Sequence, residues 1–222
     1  MTRLAIFDCD GTMVDGQANI CTAMEQAFVA EKLTPPDHHL TRRIVGLSLI
    51  EAMRRLAPEP DEALHERLAD NYRQAFQALR AKGDQTEPLY EGLIELLEKL
   101  RGAEWLCAVA TGKSDRGLKF VVEHYGIADH FVSLQTADRH PSKPHPSMIM
   151  QALDDAGAEA ADAVMIGDTS FDIEMAINAG VRAIGVDWGY HDAHELHAAG
   201  AEQVVASMDA LFDALMEEPR HG

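Results

Sequence analysis

Arg3-Leu4-Ala5-Ile6-Phe7-Asp8-Cys9-Asp10-Gly11-Thr12 is the stretch that decides the fold. A short apolar run stops abruptly at two carboxylates spaced two apart, followed by glycine and threonine. The same punctuation recurs along the chain. Trp105-Leu106-Cys107-Ala108-Val109-Ala110 stops at Thr111-Gly112, Ala163-Val164-Met165-Ile166 at Gly167-Asp168, and Arg182-Ala183-Ile184-Gly185-Val186 at Asp187. Short continuous apolar runs with few polar alternations read as strands covered on both faces. Phe131-Val132-Ser133-Leu134 and Gln203-Val204-Val205 are weaker candidates.

Helical patterns fill the gaps. Leu93–Leu100 ends near Gly102, Leu118–Tyr125 at Gly126, Ser147–Ala156 at Gly157, and Ile173–Ala179 at Gly180. Glycine just past the last turn is a helix stop signal. Strand and helix alternating at this spacing predict an α/β fold, a Rossmann-like parallel sheet flanked by helices. One region breaks the alternation. Residues 17–79 hold no convincing strand but several helical patterns: an amphipathic Ala18–Glu31, a capping box Ser48-Leu49-Ile50-Glu51, and a helix capped by Asp61 that runs to about Leu79. The expected organisation is therefore a core of 1–16 and 80–222 with a helical module of 17–79 inserted after the first strand.

Bulk properties narrow the partners. With 222 residues and 46% hydrophobic residues the chain can bury a sizeable core. Its formal net charge of -18 repels nucleic acid and anionic membranes at long range. The apolar stretch Leu4–Phe7 is too short for a signal-peptide core, and no later run reaches membrane length. Cys9, Cys21 and Cys107 cannot all pair and fit no zinc spacing, which points to reduced thiols in a cytoplasm.

The chemistry gathers at the C-terminal ends of the strands, where open parallel sheets bind ligands. Asp8 and Asp10 are two apart in an extended chain and face the same side. Such a pair about 4 Å apart repels by roughly 4 kcal/mol at an effective dielectric of 20. A divalent cation or a shared proton would relieve it. Oxygen-only donors without nearby sulfur favour magnesium. Gly11 and Thr12 form a tight turn whose N–H groups can face an anion. Asp168 and Asp172 bring two more carboxylates toward the same crevice, although Asp172 is also suited to simple helix N-terminal charge compensation. Positive and hydrogen-bonding groups come from Thr111-Gly112-Lys113-Ser114 and Lys143-Pro144-His145-Pro146.

In this order and spacing the four motifs resemble the haloacid dehalogenase superfamily, within it the phosphoglycolate phosphatase and β-phosphoglucomutase branch. Asp8-Cys9-Asp10-Gly11-Thr12, Thr111, Lys143-Pro144, and Gly167-Asp168-Thr169 with Asp172 match its motifs, and 17–79 looks like its small helical cap. The resemblance implies a phosphatase in which Asp8 attacks phosphorus and Asp10 protonates the leaving oxygen, then activates water. It implies magnesium on Asp8, the Asp10 carbonyl and Asp168 with Asp172 in support, and a phosphoryl group held by Thr111, Gly112 and Lys143 beside Gly11 and Thr12. Asp10 argues against a dehalogenase, because a halide leaving group needs no acid. The expected substrate is a small phosphorylated metabolite such as 2-phosphoglycolate. A phosphosugar mutase and a non-catalytic phospho-ligand-binding regulator are the alternatives.

Other residues carry two readings. Arg42 and Arg43 stand before Gly46 and are either ligands for a substrate carboxylate or a solvated helix face. Ser48 reads as a helix cap, Asp15 as a cap or hinge, and His145 as a shaper of its loop. His191, His194 and His197 read as an exposed polar helix face. Met148, Met150, Met165 and Met175 read as core filler.

Overall fold

The computed structural model describes residues 2–59, 61–82 and 87–217. Six strands form one parallel sheet: β1 Arg3–Phe7, β2 Trp105–Thr111, β3 Phe131–Thr136, β4 Ala163–Gly167, β5 Arg182–Val186 and β6 Gln203–Val205, in the order β3-β2-β1-β4-β5-β6. All the apolar runs are strands, including the two weaker ones. β1 lies near the centre, pairing Arg3 to Phe7 with Trp105 to Val109 on one side and Leu4 to Phe7 with Ala163 to Ile166 on the other.

Both faces of the sheet are covered, which is why its strands lack polar alternation. Ala5, Phe7 and Val109 pack with Leu93–Gly102 (α5), Asp115–His124 (α6) and Met208–Met216 (α10). Leu4, Ile6 and Met165 face Ser147–Ala156 (α7), Ser170–Ala179 (α8) and Ala193–Ala199 (α9). Met148, Met165 and Met175 lie in this second layer as expected. Met150 does not: it is 55% exposed, because Met148 and Ile149 take the inward positions of α7 and Met150 turns to solvent.

Between β1 and α5 stand four helices: Gln17–Ala30 (α1), His38–Arg43 (α2), Leu49–Leu56 (α3) and Glu62–Lys82 (α4). They share a small core of Met24, Phe28, Met53 and Leu68. The last of them runs to Lys82, a few residues past the boundary expected near Leu79. Asp61 caps it through the Leu64 N–H at 3.1 Å. Ser48 stands at the N-cap of α3, but its side chain makes no capping bond. Instead its backbone N–H donates to Ser142 Oγ of the core at 2.8 Å. All three cysteines are free and buried, and burial pushes the Cys107 thiol up to about 12. Among the described residues no helix is long and apolar enough to cross a membrane.

The module sits directly on the end of β2. A Cβ on Gly112 would lie 2.4 Å from the Gly46 carbonyl oxygen and 2.5 Å from that of Leu47. Only a residue without a side chain allows this backbone-on-backbone approach. Gly112→Ala should therefore lower the unfolding free energy by about 1–3 kcal/mol, as overpacking does. The expected reading is a lower urea midpoint at unchanged slope. An unchanged midpoint would show that the 46–47 loop lifts off the strand at no cost.

Candidate active site

The strand ends bring the motif residues together. Asp8 follows β1, Thr111 closes β2, Lys143 lies on the loop before α7, Asp168 follows β4, and Asp172 sits in the first turn of α8. Asp8, Asp168 and Asp172 are each 0% exposed, and each offers a carboxylate oxygen within 4.8 Å of the other two. Lys143, 2% exposed, puts its Nζ 2.8 Å from Asp8 Oδ1 and 2.6 Å from Asp172 Oδ1.

Asp168 and Asp172 are held by other bonds as well. Asp168 accepts from Thr12 Oγ1 at 2.8 Å and from the Tyr190 N–H at 2.9 Å. Asp172 accepts from the Thr169 N–H at 3.0 Å and the Thr169 hydroxyl at 2.7 Å. It thus caps α8, as the helix N-terminal reading expects, and pairs with Lys143 at once. Asp8 differs. Beyond Lys143, neither of its buried oxygens meets a hydrogen-bonding group among the described residues. The backbone around Asp168 is tight: Gly11 has φ +88°, and a Cβ there would lie 2.2 Å from Asp168 Oδ2.

Three buried carboxylates face one ammonium, and the titration of each group follows. Burial first, then Asp172, raises the Asp8 carboxyl to about 7 against the pull of Lys143. Burial and the two neighbouring carboxylates hold Asp168 well above the ordinary range. Burial would lower the Lys143 ammonium, but Asp172 and Asp8 together outweigh it and keep it charged. The uncompensated negative charge and the sparsely partnered oxygens of Asp8 fit a hard cation with oxygen donors.

Asp10 stands apart from this cluster. Its carboxylate accepts from Lys113 Nζ at 2.8 Å, and Lys113 also meets Glu87 at 2.9 Å. Glu87, 5% exposed, is bound by Arg80 of α4 through its Nε at 2.8 Å. This chain of charges is the part of the site that motif reading missed. Glu87 and Arg80 carry no pattern of their own, and Lys113, expected to offer positive charge to an anion, is instead paired with Asp10 and Glu87. Gly11 differs from expectation in detail: its N–H closes the turn onto the Val14 carbonyl at 2.9 Å. Thr111 Oγ1 accepts from the Lys113 N–H at 3.2 Å, and Thr111 and Gly112 line a cavity of about 260 Å³ that opens from Asp8 toward the helical module.

Neither Arg42 nor Arg43 lines that cavity. Arg43 makes a two-pronged pair with Glu195 of α9, at 2.5 and 2.6 Å, and holds the Glu195 carboxyl down at about 2. His191 is 4% exposed, which corrects its reading as part of an exposed helix face. It precedes α9, accepts from the Ser170 N–H through Nδ1 at 3.1 Å, and donates from Nε2 to the Arg43 carbonyl at 3.2 Å. His194 and His197 are exposed as expected.

Comparison with known proteins agrees with the motifs. The sequence profile described as "Haloacid dehalogenase-like hydrolase" matches residues 5–186. "Probable phosphatase IndB" of Dickeya dadantii is 35% identical over 218 residues, covering 96% of this chain and 94% of that protein. "Phosphoglycolate phosphatase" of Mesorhizobium japonicum is 29% identical, covering 96% and 95%. A crystal structure of a predicted phosphatase from Clostridium acetobutylicum superposes with a TM-score of 0.87 at 27% identity, covering 98% of this chain and 100% of that one.

The raised Asp8 carboxyl sets a pH dependence. Its unfolded value is 3.8 and its folded, cation-free value about 7, so folding takes up a proton between them. Its contribution to stability is whole below 3.8 and lost as pH rises through about 7. A divalent cation held by the ionised cluster would offset that loss. Magnesium should therefore raise the melting temperature of chelator-treated protein clearly at pH 8 and little at pH 5, by differential scanning fluorimetry. Equal shifts at both pH values would mean the ion binds elsewhere.

Proposed function

The chain belongs to the haloacid dehalogenase-like hydrolases, and we propose that it is a magnesium-dependent phosphatase that hydrolyses a small phosphate monoester through a phospho-aspartate on Asp8. The observation that carries this reading is Asp8 itself. It is a fully buried carboxylate at the central strand end, with a lysine at 2.8 Å and no other hydrogen-bonding partner among the described residues.

Asp8 supplies the nucleophile. One of its oxygens forms a bond to phosphorus as the bond to the ester oxygen breaks. The departing oxygen takes a proton from the Asp10 carboxyl group, beside Asp8 on the floor of the cavity. In the second step Asp10 takes a proton from water, the water oxygen bonds to phosphorus, and the Asp8 carboxylate leaves. Lys143 orients Asp8 and neutralises charge on the phosphoryl oxygens, and Thr111 and the Gly112 backbone border the same space. Asp8, the Asp10 carbonyl and Asp168 would hold magnesium with Asp172 in support, and the ion would supply charge neutralisation at the phosphoryl group. Lys113 holds the Asp10 carboxylate beside the cavity, so Asp10 is placed before substrate arrives.

The name of the Mesorhizobium relative makes 2-phosphoglycolate the first ester to try. A phosphosugar mutase would form the same phospho-aspartate but pass it to a second sugar, so free phosphate released in stoichiometric amount separates the two. A non-catalytic regulator would have no reason to keep Asp8, Asp10, Lys143 and Asp168 together.

Asp8→Asn should reduce phosphate release by roughly 10⁴-fold, because the covalent step is lost. The variant should still fold, since one buried charge among three is removed. Acid-quenched wild-type enzyme should carry a phosphate adduct on the peptide containing Asp8, by mass spectrometry, and Asp8→Asn should carry none. Substantial turnover in Asp8→Asn would move the nucleophile elsewhere.

A further inference from the structure

The cavity in front of Asp8 is built for more than a two-carbon acid. Its volume of about 260 Å³ approaches the range of roughly 300–1,000 Å³ usual for organic ligands. Its floor is polar, with Asp8, Asp10, Thr111 and Gly112. Its walls are apolar and come from the helical module: Ile20 and Met24 of α1, Val45 and Leu49 near Gly46, and Tyr72 and Phe76 of α4. The two aromatic rings lie 5.6 Å apart and tilted by 33°, a broad aromatic surface facing the phosphoryl end.

Cations do line this cavity, but most are already answered. Lys113 lies on Asp10 and Glu87, Arg80 on Glu87, and Arg73 on Asp70 at 2.7 Å. The Arg80 and Lys113 heads also stand over the Phe76 ring, 4.8 and 5.6 Å from its centre. Among the described residues, Arg116 is the one lining cation without an ion pair, and it is exposed. A second carboxylate on the substrate would therefore meet an apolar wall, paired cations and the carboxylates of Asp10 and Asp138, with the solvent-exposed Arg116 as its one unpaired counter-charge among the described residues. Desolvating a charge against such a surface is unfavourable. An uncharged ring would displace water from the same surface at a gain.

We infer that the substrate of this site is a phosphate monoester whose alcohol part carries an uncharged ring, seated against Tyr72 and Phe76. The inference rests on the phosphatase reading and narrows its substrate class. The phosphoryl group goes to the floor at Asp8, and the ring fills the space between α1 and α4.

The test compares benzyl phosphate, 2-phosphoglycolate and acetyl phosphate with magnesium. Benzyl phosphate is an alkyl ester, as phosphoglycolate is, so ring chemistry does not activate the leaving oxygen. The expected kcat/KM for benzyl phosphate exceeds that for 2-phosphoglycolate by at least about tenfold, from burial of the ring. Phe76→Ala should cut that ratio by roughly threefold to tenfold, and Phe76→Leu by less. Preference for 2-phosphoglycolate, with loss of that preference in Arg116→Ala, would overturn the inference and leave the phosphatase reading standing. So would equal efficiency on both esters while acetyl phosphate is hydrolysed. Release of phosphate from none of the three would remove the phosphatase reading, and the inference with it.

Discussion

Everything at the active end of this molecule depends on one ammonium group. Asp8, Asp168 and Asp172 converge where water is excluded, and like charges in such a place repel several-fold more strongly than in solvent. Lys143 is the cation that makes this convergence tolerable. It could not do so from a loose loop. The Ser142 carbonyl accepts from the His145 N–H at 3.0 Å, and the Pro144 carbonyl accepts from Asn178 Nδ2 at 2.9 Å. Asn178 stands on α8, the helix that carries Asp172. The lysine and one of its partners are thus fixed to the same helix. Ser142 Oγ, in turn, accepts from Ser48 of the helical module, so the same loop also anchors the cavity's roof.

A second line of charge runs the other way. From Asp10 through Lys113 and Glu87 to Arg80, ion pairs join the loop after β1 to α4. Burial works against each charge here. Lys113 is nevertheless pushed up by Asp10 and Glu87, and Glu87 is brought down by Lys113 and Arg80. A buried network of this kind is costly to leave half made, so its members hold one another in a single arrangement. Asp10 and the aromatic wall of α4 are therefore positioned together rather than separately.

How much of this could be read from the chain follows from how local each signal is. Strands buried on both faces declare themselves as unbroken apolar runs, and a carboxylate ending such a run stands out against it. That made Asp8, Asp168 and the parallel sheet readable. Lys143 and Thr111 are weak signals alone and became readable only through the resemblance that all four motifs, in their order, bear to the haloacid dehalogenase superfamily. Glu87 and Arg80 did not, because their meaning lies only in a chain of contacts, Arg80 to Glu87 and Glu87 to Lys113 just past β2. His191 looked like one member of an exposed series at spacing three, yet helix α9 begins two residues later, so it never shared the face of His194 and His197. Met150 was misplaced by composition alone, where the turn of α7 decides its side. Arg43 has a carboxylate partner, as its charge suggested. That partner is Glu195 of the same chain.

The position of β1 in the sheet has a kinetic consequence. β1 is made first, but its neighbours β2 and β4 begin a hundred and more residues later, at Trp105 and Ala163. Closing such loops precedes any reward from pairing, which slows folding of parallel sheets. The four inserted helices pack chiefly on one another and need no such wait. During synthesis the residues that wall the cavity are thus made before most of those at its floor. Asp8 has neither Lys143 nor Asp168 beside it until most of the chain has left the ribosome. The growing polypeptide therefore carries no assembled reactive centre, and chemistry switches on only when the fold is nearly complete.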